Sequence, residues 1–367
     1  MIDREDRVMK RILIFGLSSS YAGVEALILN YVNQLKEAEY DVDFVVAEKE
    51  PEYLKEKLVR CAKAKVVPNR VKNLLKYYKT VDEIVKNGNY DIVWCNFCTL
   101  TDIQILKAAK KYNVPTRIAH SHNSENMGNF LVLITHLLNK KKINKYANKF
   151  YACSDFAGEF MFGKQIMQKK NYKVIPNAID AQMYDFNAEI RSKVRENLCI
   201  ADKIVIGHVG RFHFQKNHKL LIKIFKAFSD NHPDSVLVLV GTGGLMDEIK
   251  NMVENLKIDD KVFFLGNRKD VNELMQGMDL MLFPSLFEGL PVTLVEAQTA
   301  GLPCVIADTI SPQTKITDLV TFEKLDAGIE DWVKDMENAL KRERRSRFAE
   351  MKEAGFDVRS QTGEIFD

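Results

Sequence analysis

The chain of 367 residues, 46% hydrophobic and 28% charged, is too long for one ordinary domain and suits two of roughly 150–200 residues. No apolar run reaches the roughly 18 uncharged residues that span a bilayer, the longest (130–138) being broken by Thr135 and His136, and residues 1–10 lack the apolar centre of a signal peptide. A cytoplasmic location is therefore expected. The net charge of +3 conceals 28 Lys+Arg against 19 Asp+Glu in residues 1–170 and 25 against 31 in the remainder. A basic front half suits an anionic partner, a membrane surface or a lipid-linked phosphate, though solvated lysines alone produce the same bias. No nucleic-acid motif stands out, and no nucleic-acid partner is expected.

Residues 11–15 form a short apolar run that stops at Gly16; a Ser-rich turn follows, and 24–35 carries helical periodicity. Runs at 43–47, 65–68, 92–95 and 116–120 continue the strand series, with helical segments such as 73–86 and 103–111 between them. Asp41-Val42-Asp43 imitates a metal-binding Asp-x-Asp but opens an alternating strand. Cys95-Asn96-Phe97-Cys98 has redox or metal spacing without a second CxxC or a His pair, and reads as two small hydrophobes at a strand end. With no export signal, all six cysteines are expected as reduced thiols. The lysine-rich stretch 136–150 after the apolar run could rest on anionic lipid as a basic amphipathic segment or be an ordinary surface helix.

The pattern restarts in the second half. Strands are expected at 203–208, 235–240, 262–265, 280–283 and 304–307, and helices at 219–230, from Leu245, from Val271 and from Leu290 or Pro291. Apolar strands separated by helices imply parallel sheets covered on both faces, so the expected fold is α/β with two doubly wound, Rossmann-like domains. Their junction falls near Pro176-Asn177, which divides the chain into 1–176 and 177–353. Ligands bind beyond the carboxyl ends of such strands, so the residues just after each strand are the candidates for a site.

Three loops carry chemistry there. After 203–208 come Gly210, Arg211 and Lys216, two cations able to hold a diphosphate and to stabilise its charge as it leaves. His213 and His218, nearby, read as solvent or helix-start residues. After 235–240, Gly241-Thr242-Gly243-Gly244 opens a helix, which is weak evidence for a nucleotide loop because such turns also serve packing. After 280–283 a Pro/Ser/Gly turn leads into a helix whose first amides can bind phosphate. Glu288 precedes that helix and Glu296 lies inside it, two carboxylates able to accept hydrogen bonds from sugar or ribose hydroxyls.

These segments resemble glycosyltransferase family 4, the retaining, metal-independent enzymes of the two-domain GT-B fold. The Glu-x7-Glu motif is Glu288 to Glu296 within "PSLFEGLPVTLVEAQTAGLPCV", and "VIPNAID", "GRFHFQKN", "LVGTGG", "FLGNRKDV" and "MDLMLFPS" match in the expected order across the second domain. In the first domain "GLSSSYAGVEALILNYV" resembles the family's glycine loop and first helix, and "RIAHSHNS" is similar to the subset that builds bacterial capsular and exopolysaccharides. "AGFDVRSQTGEIF" resembles the tail helix, about 354–367, that returns to the first domain. The GT-B fold implies that the two domains face each other across a cleft.

The resemblance implies a hexosyltransferase that moves sugar from a nucleotide-diphosphate donor, UDP favoured, to a glycan or polyprenyl-diphosphate-linked acceptor. It needs no metal or other cofactor; the basic front half leaves open, beside a plain cytoplasmic location, a place at the inner face of the plasma membrane. Residue by residue, Arg211 and Lys216 would clamp the diphosphate, Glu296 would bind the ribose, and Glu288 would contact the transferring sugar. Backbone groups of Gly289, Leu290, Pro291, Val292 and Thr293 would meet that sugar and the phosphates. Arg268 would line the base pocket. His122 or His120 would approach the donor sugar from the first domain, and Gly23 would let its backbone close on the phosphates, although the first glycine of the usual pair is Ala22 here. Glu288 as a covalent nucleophile is disfavoured, because the family is thought to react by a front-face route with the leaving phosphate as base. A sugar-nucleotide epimerase of the same architecture is the nearest alternative; it would isomerise the donor with no acceptor.

Overall fold

The structure, a computed structural model, describes residues 9–20, 23–58, 62–123 and 130–366. They fall into two compact units, one holding the described residues up to Asn177 together with those from Val358, the other holding Ala178–Asp357.

The first unit is a seven-stranded sheet of β1 (Lys10–Phe15), β2 (Tyr40–Ala47), β3 (Ala62–Val67), β4 (Ile92–Phe97), β5 (Thr116–Ser121), β6 (Lys149–Ala152) and β7 (Tyr172–Val174). Their order is β3-β2-β1-β4-β5-β6-β7, with every neighbouring pair parallel. The central strand β4, Ile-Val-Trp-Cys-Asn-Phe, is buried along its whole length, as expected when helices cover both faces. Helix Val358–Phe366 belongs to this unit: Tyr31 of helix Gly23–Gln34 donates to Gln361, and Phe366 meets Trp94 edge-on at 5.2 Å.

The second unit contains β8 (Ile204–Val209), β9 (Ser235–Val240), β10 (Val262–Gly266), β11 (Leu280–Phe283), β12 (Cys304–Ala307) and β13 (Val320–Glu323). Their order is β10-β9-β8-β11-β12-β13, again all parallel. In each sheet the order reverses between two adjacent strands, β1 and β4 in the first and β8 and β11 in the second. The crevice beyond the carboxyl ends at such a reversal is where doubly wound sheets hold ligands.

Three strands escape the sequence reading. The short edge strands β7 and β13, and β6, which opens on a lysine, lack the continuous apolar run that marked the others. The basic stretch 136–150 is correspondingly not one amphipathic helix: helix Phe130–Lys140 stops, a single turn Ile143–Lys145 follows, and Lys149 begins β6. The Asp-x-Asp sequence lies in β2, where Arg11 pairs with Asp41 at 3.0 Å and Asp43 at 3.2 Å, and Lys65 and Tyr90 also reach Asp43. Of the CxxC pair, Cys95 is buried in β4 but Cys98 is exposed past the strand end, so only the first acts as a core hydrophobe. No helix among the described residues is long and apolar enough to cross a membrane.

Candidate active site

In the second unit the chemistry gathers where β8 and β11 end. The loop after β8 is held by its backbone: Gly210 N–H donates to Val240 O, and Phe212 N–H donates to Thr242 O at 3.0 Å. That contact explains the glycines after β9. A Cβ on Gly241, whose φ is +135°, would lie 2.1 Å from Gly210 O, and one on Gly243 would lie 2.4 Å from Phe212 O. The GxGG turn is therefore a packing surface for the loop that carries Arg211 and Lys216.

The same loop is tied to the one after β11. Leu286 N–H donates to Gln215 O at 2.8 Å, and Gln215 Nε2 donates to Phe287 O at 2.9 Å. These bonds bring Lys216 Nζ to 2.7 Å from Glu288 Oε1, both side chains largely buried, with the ammonium 4.5 Å over the Phe283 ring. The pair thus straddles the topological reversal. Arg211 is exposed, and its side chain has no hydrogen bond or ion pair among the described residues. Arg268 is exposed as well and is held in a two-point ion pair by Asp270.

Helix Val292–Thr299 starts at Pro291, whose φ of −69° suits the N-cap and which has no N–H to offer. Pro291 therefore cannot be one of the amide donors expected over 289–293, whereas Gly289, Leu290, Val292 and Thr293 have an N–H. Among the described residues no side chain caps this helix, and while Leu294 N–H donates to Pro291 O at 3.0 Å, the amides of Val292 and Thr293 and the positive dipole end are placed to meet an anion. A Cβ on Gly289 would meet nothing within 4 Å. Glu296 lies in the second turn and accepts a hydrogen bond from Tyr184 Oη at 2.8 Å. Burial pushes its carboxyl up to about 7, with the Tyr184 bond pulling the other way.

Beneath Lys216 lie two buried imidazoles. His208 Nδ1 donates to Leu282 O at 2.9 Å, and His218 stacks on Phe212 at 4.2 Å. Burial and the neighbouring Lys216 charge lower His218 to about 4, so it is neutral. His218 does begin a helix as expected, but as a packed ring rather than a solvent residue; His213 is exposed.

The first unit has its own cluster at the ends of β1, β4 and β5. Gly16, at φ +116°, brings its backbone so close to Asn96 that a Cβ would sit 2.3 Å from Asn96 O. Asn96 Nδ2 donates to Phe15 O, which turns its Oδ1 toward His122 Nε2 at 2.8 Å. Because an amide oxygen only accepts, His122 Nε2 carries the proton and Nδ1 the lone pair. Burial lowers His122 to about 4, with the Asn177 side chain opposing. His120 is different: it is wholly buried within β5, and Trp94 Nε1 donates to its Nδ1 at 3.3 Å. His122 therefore stands at the carboxyl edge of the sheet and His120 in its interior. Gly23 is the exposed first residue of its helix with open space around a built Cβ; Ala22, its neighbour, lies outside the described residues.

Sequence reading missed Tyr184, Asn96 and Gln215. Tyr184 is 112 positions from Glu296 and Gln215 is 72 from Phe287, so no local spacing could have paired them. Asn96 sat inside a motif read for its cysteines.

Comparison with known proteins bears on the family and the fold. The model of "Glycosyltransferase Family 4" matches residues 21–183, and that of "Glycosyl transferases group 1" matches residues 190–355. The chain is 31% identical over 371 residues to EpsF of Bacillus subtilis (strain 168), a glycosyltransferase by name, covering 98% of this chain and 96% of that one. It is 25% identical over 299 residues to the UDP-Gal:α-D-GlcNAc-diphosphoundecaprenol α-1,3-galactosyltransferase of Escherichia coli, covering 78% and 76%. Among solved structures, Anabaena Alr3699/HepE in complex with UDP superposes with a TM-score of 0.75 at 20% identity, covering 97% of this chain and 98% of that one. Sequence similarity along the whole chain and two parallel Rossmann-like sheets make this protein a glycosyltransferase of family 4 with the GT-B fold.

Proposed function

We propose that this glycosyltransferase moves a hexosyl group from a UDP-sugar to a glycan carried on polyprenyl diphosphate, with retention of configuration and without a metal ion or other cofactor, in making a cell-surface polysaccharide. The observation that carries the reading is the Lys216–Glu288 pair beside an uncapped helix start, at the reversal of the second sheet. Lys216 has three N–H donors, so it can keep Glu288 and still hold a phosphate oxygen as charge builds on the leaving diphosphate. Arg211, exposed on the same loop, adds the second cation. Glu288 contacts the sugar, Glu296 the ribose, and the amides of Gly289, Leu290, Val292 and Thr293 the sugar and phosphates. Arg268 borders the base, and the neutral His122, rather than the interior His120, serves the donor sugar; Gly23 lets the first helix start approach the phosphates. The E. coli relative is named for UDP-Gal and a diphosphoundecaprenol-linked acceptor, and the HepE complex contains UDP, which favours this donor and acceptor class.

We also propose that the enzyme works in the cytoplasm, with the first unit resting on the anionic inner face of the plasma membrane. Helix Phe130–Lys140 supports this, because it is turned the unusual way round. His136 is 1% exposed, whereas Phe130 is 73% and Leu131 71% exposed, with Ile134, Leu137 and Leu138 on the same face. Lys141, Lys142 and Lys145 follow, all exposed. An outward apolar stripe ending in lysines suits an anionic lipid surface.

The test is incubation of the purified protein with UDP-sugars, with and without a polyprenyl-diphosphate-linked saccharide, in the presence of a chelator. An α-linked product that requires the acceptor is expected. An isomerised sugar nucleotide formed without acceptor would make the protein an epimerase instead. UDP should raise the melting temperature of the wild type and do so less for Glu296→Ala and Lys216→Ala; equal shifts in all three would remove these residues from the site.

A further inference from the structure

Tyr184 ends the short helix Ala181–Tyr184, and its surroundings hold it firmly. Its ring packs against the buried cluster of Ile179, Ala181, Val295, Met351 and Phe356. Its carbonyl receives a hydrogen bond from Nε2 of the buried Gln276 at 3.1 Å, and Gln276 Oε1 in turn accepts from Asn187 N–H. The phenolic hydroxyl, fixed from behind in this way, donates to Glu296 Oε1 at 2.8 Å.

A ribose offers two neighbouring O–H donors, and a carboxylate has about four lone-pair positions on two oxygens. Resting on the reading that Glu296 binds the donor's ribose, we infer that Tyr184 is a positioning residue for donor recognition: its hydroxyl pins one oxygen of Glu296 so that the remaining lone pairs face the ribose diol. The bond has a second consequence. Burial raises Glu296 to about 7, and the Tyr184 hydroxyl opposes that rise by favouring the charged form. Removing the hydroxyl alone moves the carboxyl further up, so at neutral pH more of it is protonated, and a protonated carboxyl has lost acceptor capacity toward the diol. The loss is one of protonation and aim, not of packing, because phenylalanine keeps the ring.

The experiment is calorimetric titration of wild type and Tyr184→Phe with UDP and with 2′,3′-dideoxy-UDP between pH 6 and 9. The ratio of the two affinities cancels the titration of the shared phosphates. The wild type should prefer UDP, with the preference fading as pH falls through about 7. In Tyr184→Phe the same curve should move up by roughly one pH unit, the scale of one hydrogen bond to a charged group. That means an about fivefold weaker preference at pH 7 from protonation alone, a part of the loss that has gone by pH 9. In a Glu296→Gln background, which cannot ionise, Tyr184→Phe should change nothing further with pH. A wild type that binds both ligands equally at every pH would overturn the ribose assignment itself. A wild type that discriminates while Tyr184→Phe superimposes on it would overturn only the role of Tyr184, as would a loss of the same size at every pH.

Discussion

Lys216 and Glu288, 72 positions apart, meet at 2.7 Å because one follows β8 and the other follows β11, the two strands between which the second sheet reverses its order. The pair is mostly shielded from water, so it is screened less by salt than a surface pair. Lys216→Ala leaves Glu288 facing a poorly solvated space without its partner. It should lower stability by roughly 1–3 kcal/mol and turnover by about 10²–10³. A double-mutant cycle with Glu288→Gln, measured by urea unfolding, should show the two losses to be non-additive.

Glu296 ties stability to pH in the opposite sense to most carboxylates. Its folded-state value of about 7 lies above the ordinary 4.5, so the folded protein holds this proton more tightly than the unfolded chain. The penalty for ionising it is absent below about 4.5, grows as pH rises, and is complete above about 7. Glu296→Gln should therefore be nearly neutral at pH 5 and stabilising by on the order of 2–3 kcal/mol at pH 8, while donor binding is lost. Melting curves of both proteins at the two pH values check this; a gain at pH 5 equal to that at pH 8 would contradict it.

Two glycines of the site should separate folding from function. Gly241→Ala puts a methyl 2.1 Å from Gly210 O at a φ of +135°. It should cost roughly 1–3 kcal/mol, shift the loop carrying Arg211 and raise the KM for donor. Gly289→Ala meets nothing within 4 Å, so its melting temperature should match the wild type while its activity falls, since the added methyl enters the space assigned to the sugar. Thermal denaturation and steady-state kinetics on the two variants distinguish these outcomes.

The outward face of helix Phe130–Lys140 makes a prediction about location. Leu131→Glu with Leu138→Glu should leave the melting temperature within a few degrees, because both side chains are exposed. Co-sedimentation with phosphatidylglycerol vesicles should drop at least tenfold, and binding of the wild type should weaken as salt is raised. Unchanged sedimentation of the double variant would remove this helix from any membrane contact.

The sequence by itself determined the alternation of strands and helices, because a buried parallel strand is a run of apolar residues and the helices between carry their own period. It also determined the segment 283–303, where strand, Pro/Ser/Gly turn, helix start and two carboxylates are all local in the chain, and with it the family. What needed the tertiary structure were the facts set by which strands are neighbours. Lys216 and Glu288 form one unit, the glycines after β9 serve loop packing, His122 stands at the sheet edge while His120 is interior, and Tyr184 holds Glu296. Strand order is not written in any periodicity; it emerges when the sheet closes, and contacts across 72 or 112 positions exist only then. The same holds for the edge strands β7 and β13, too short to leave an apolar run, and for the helix whose apolar face turned outward.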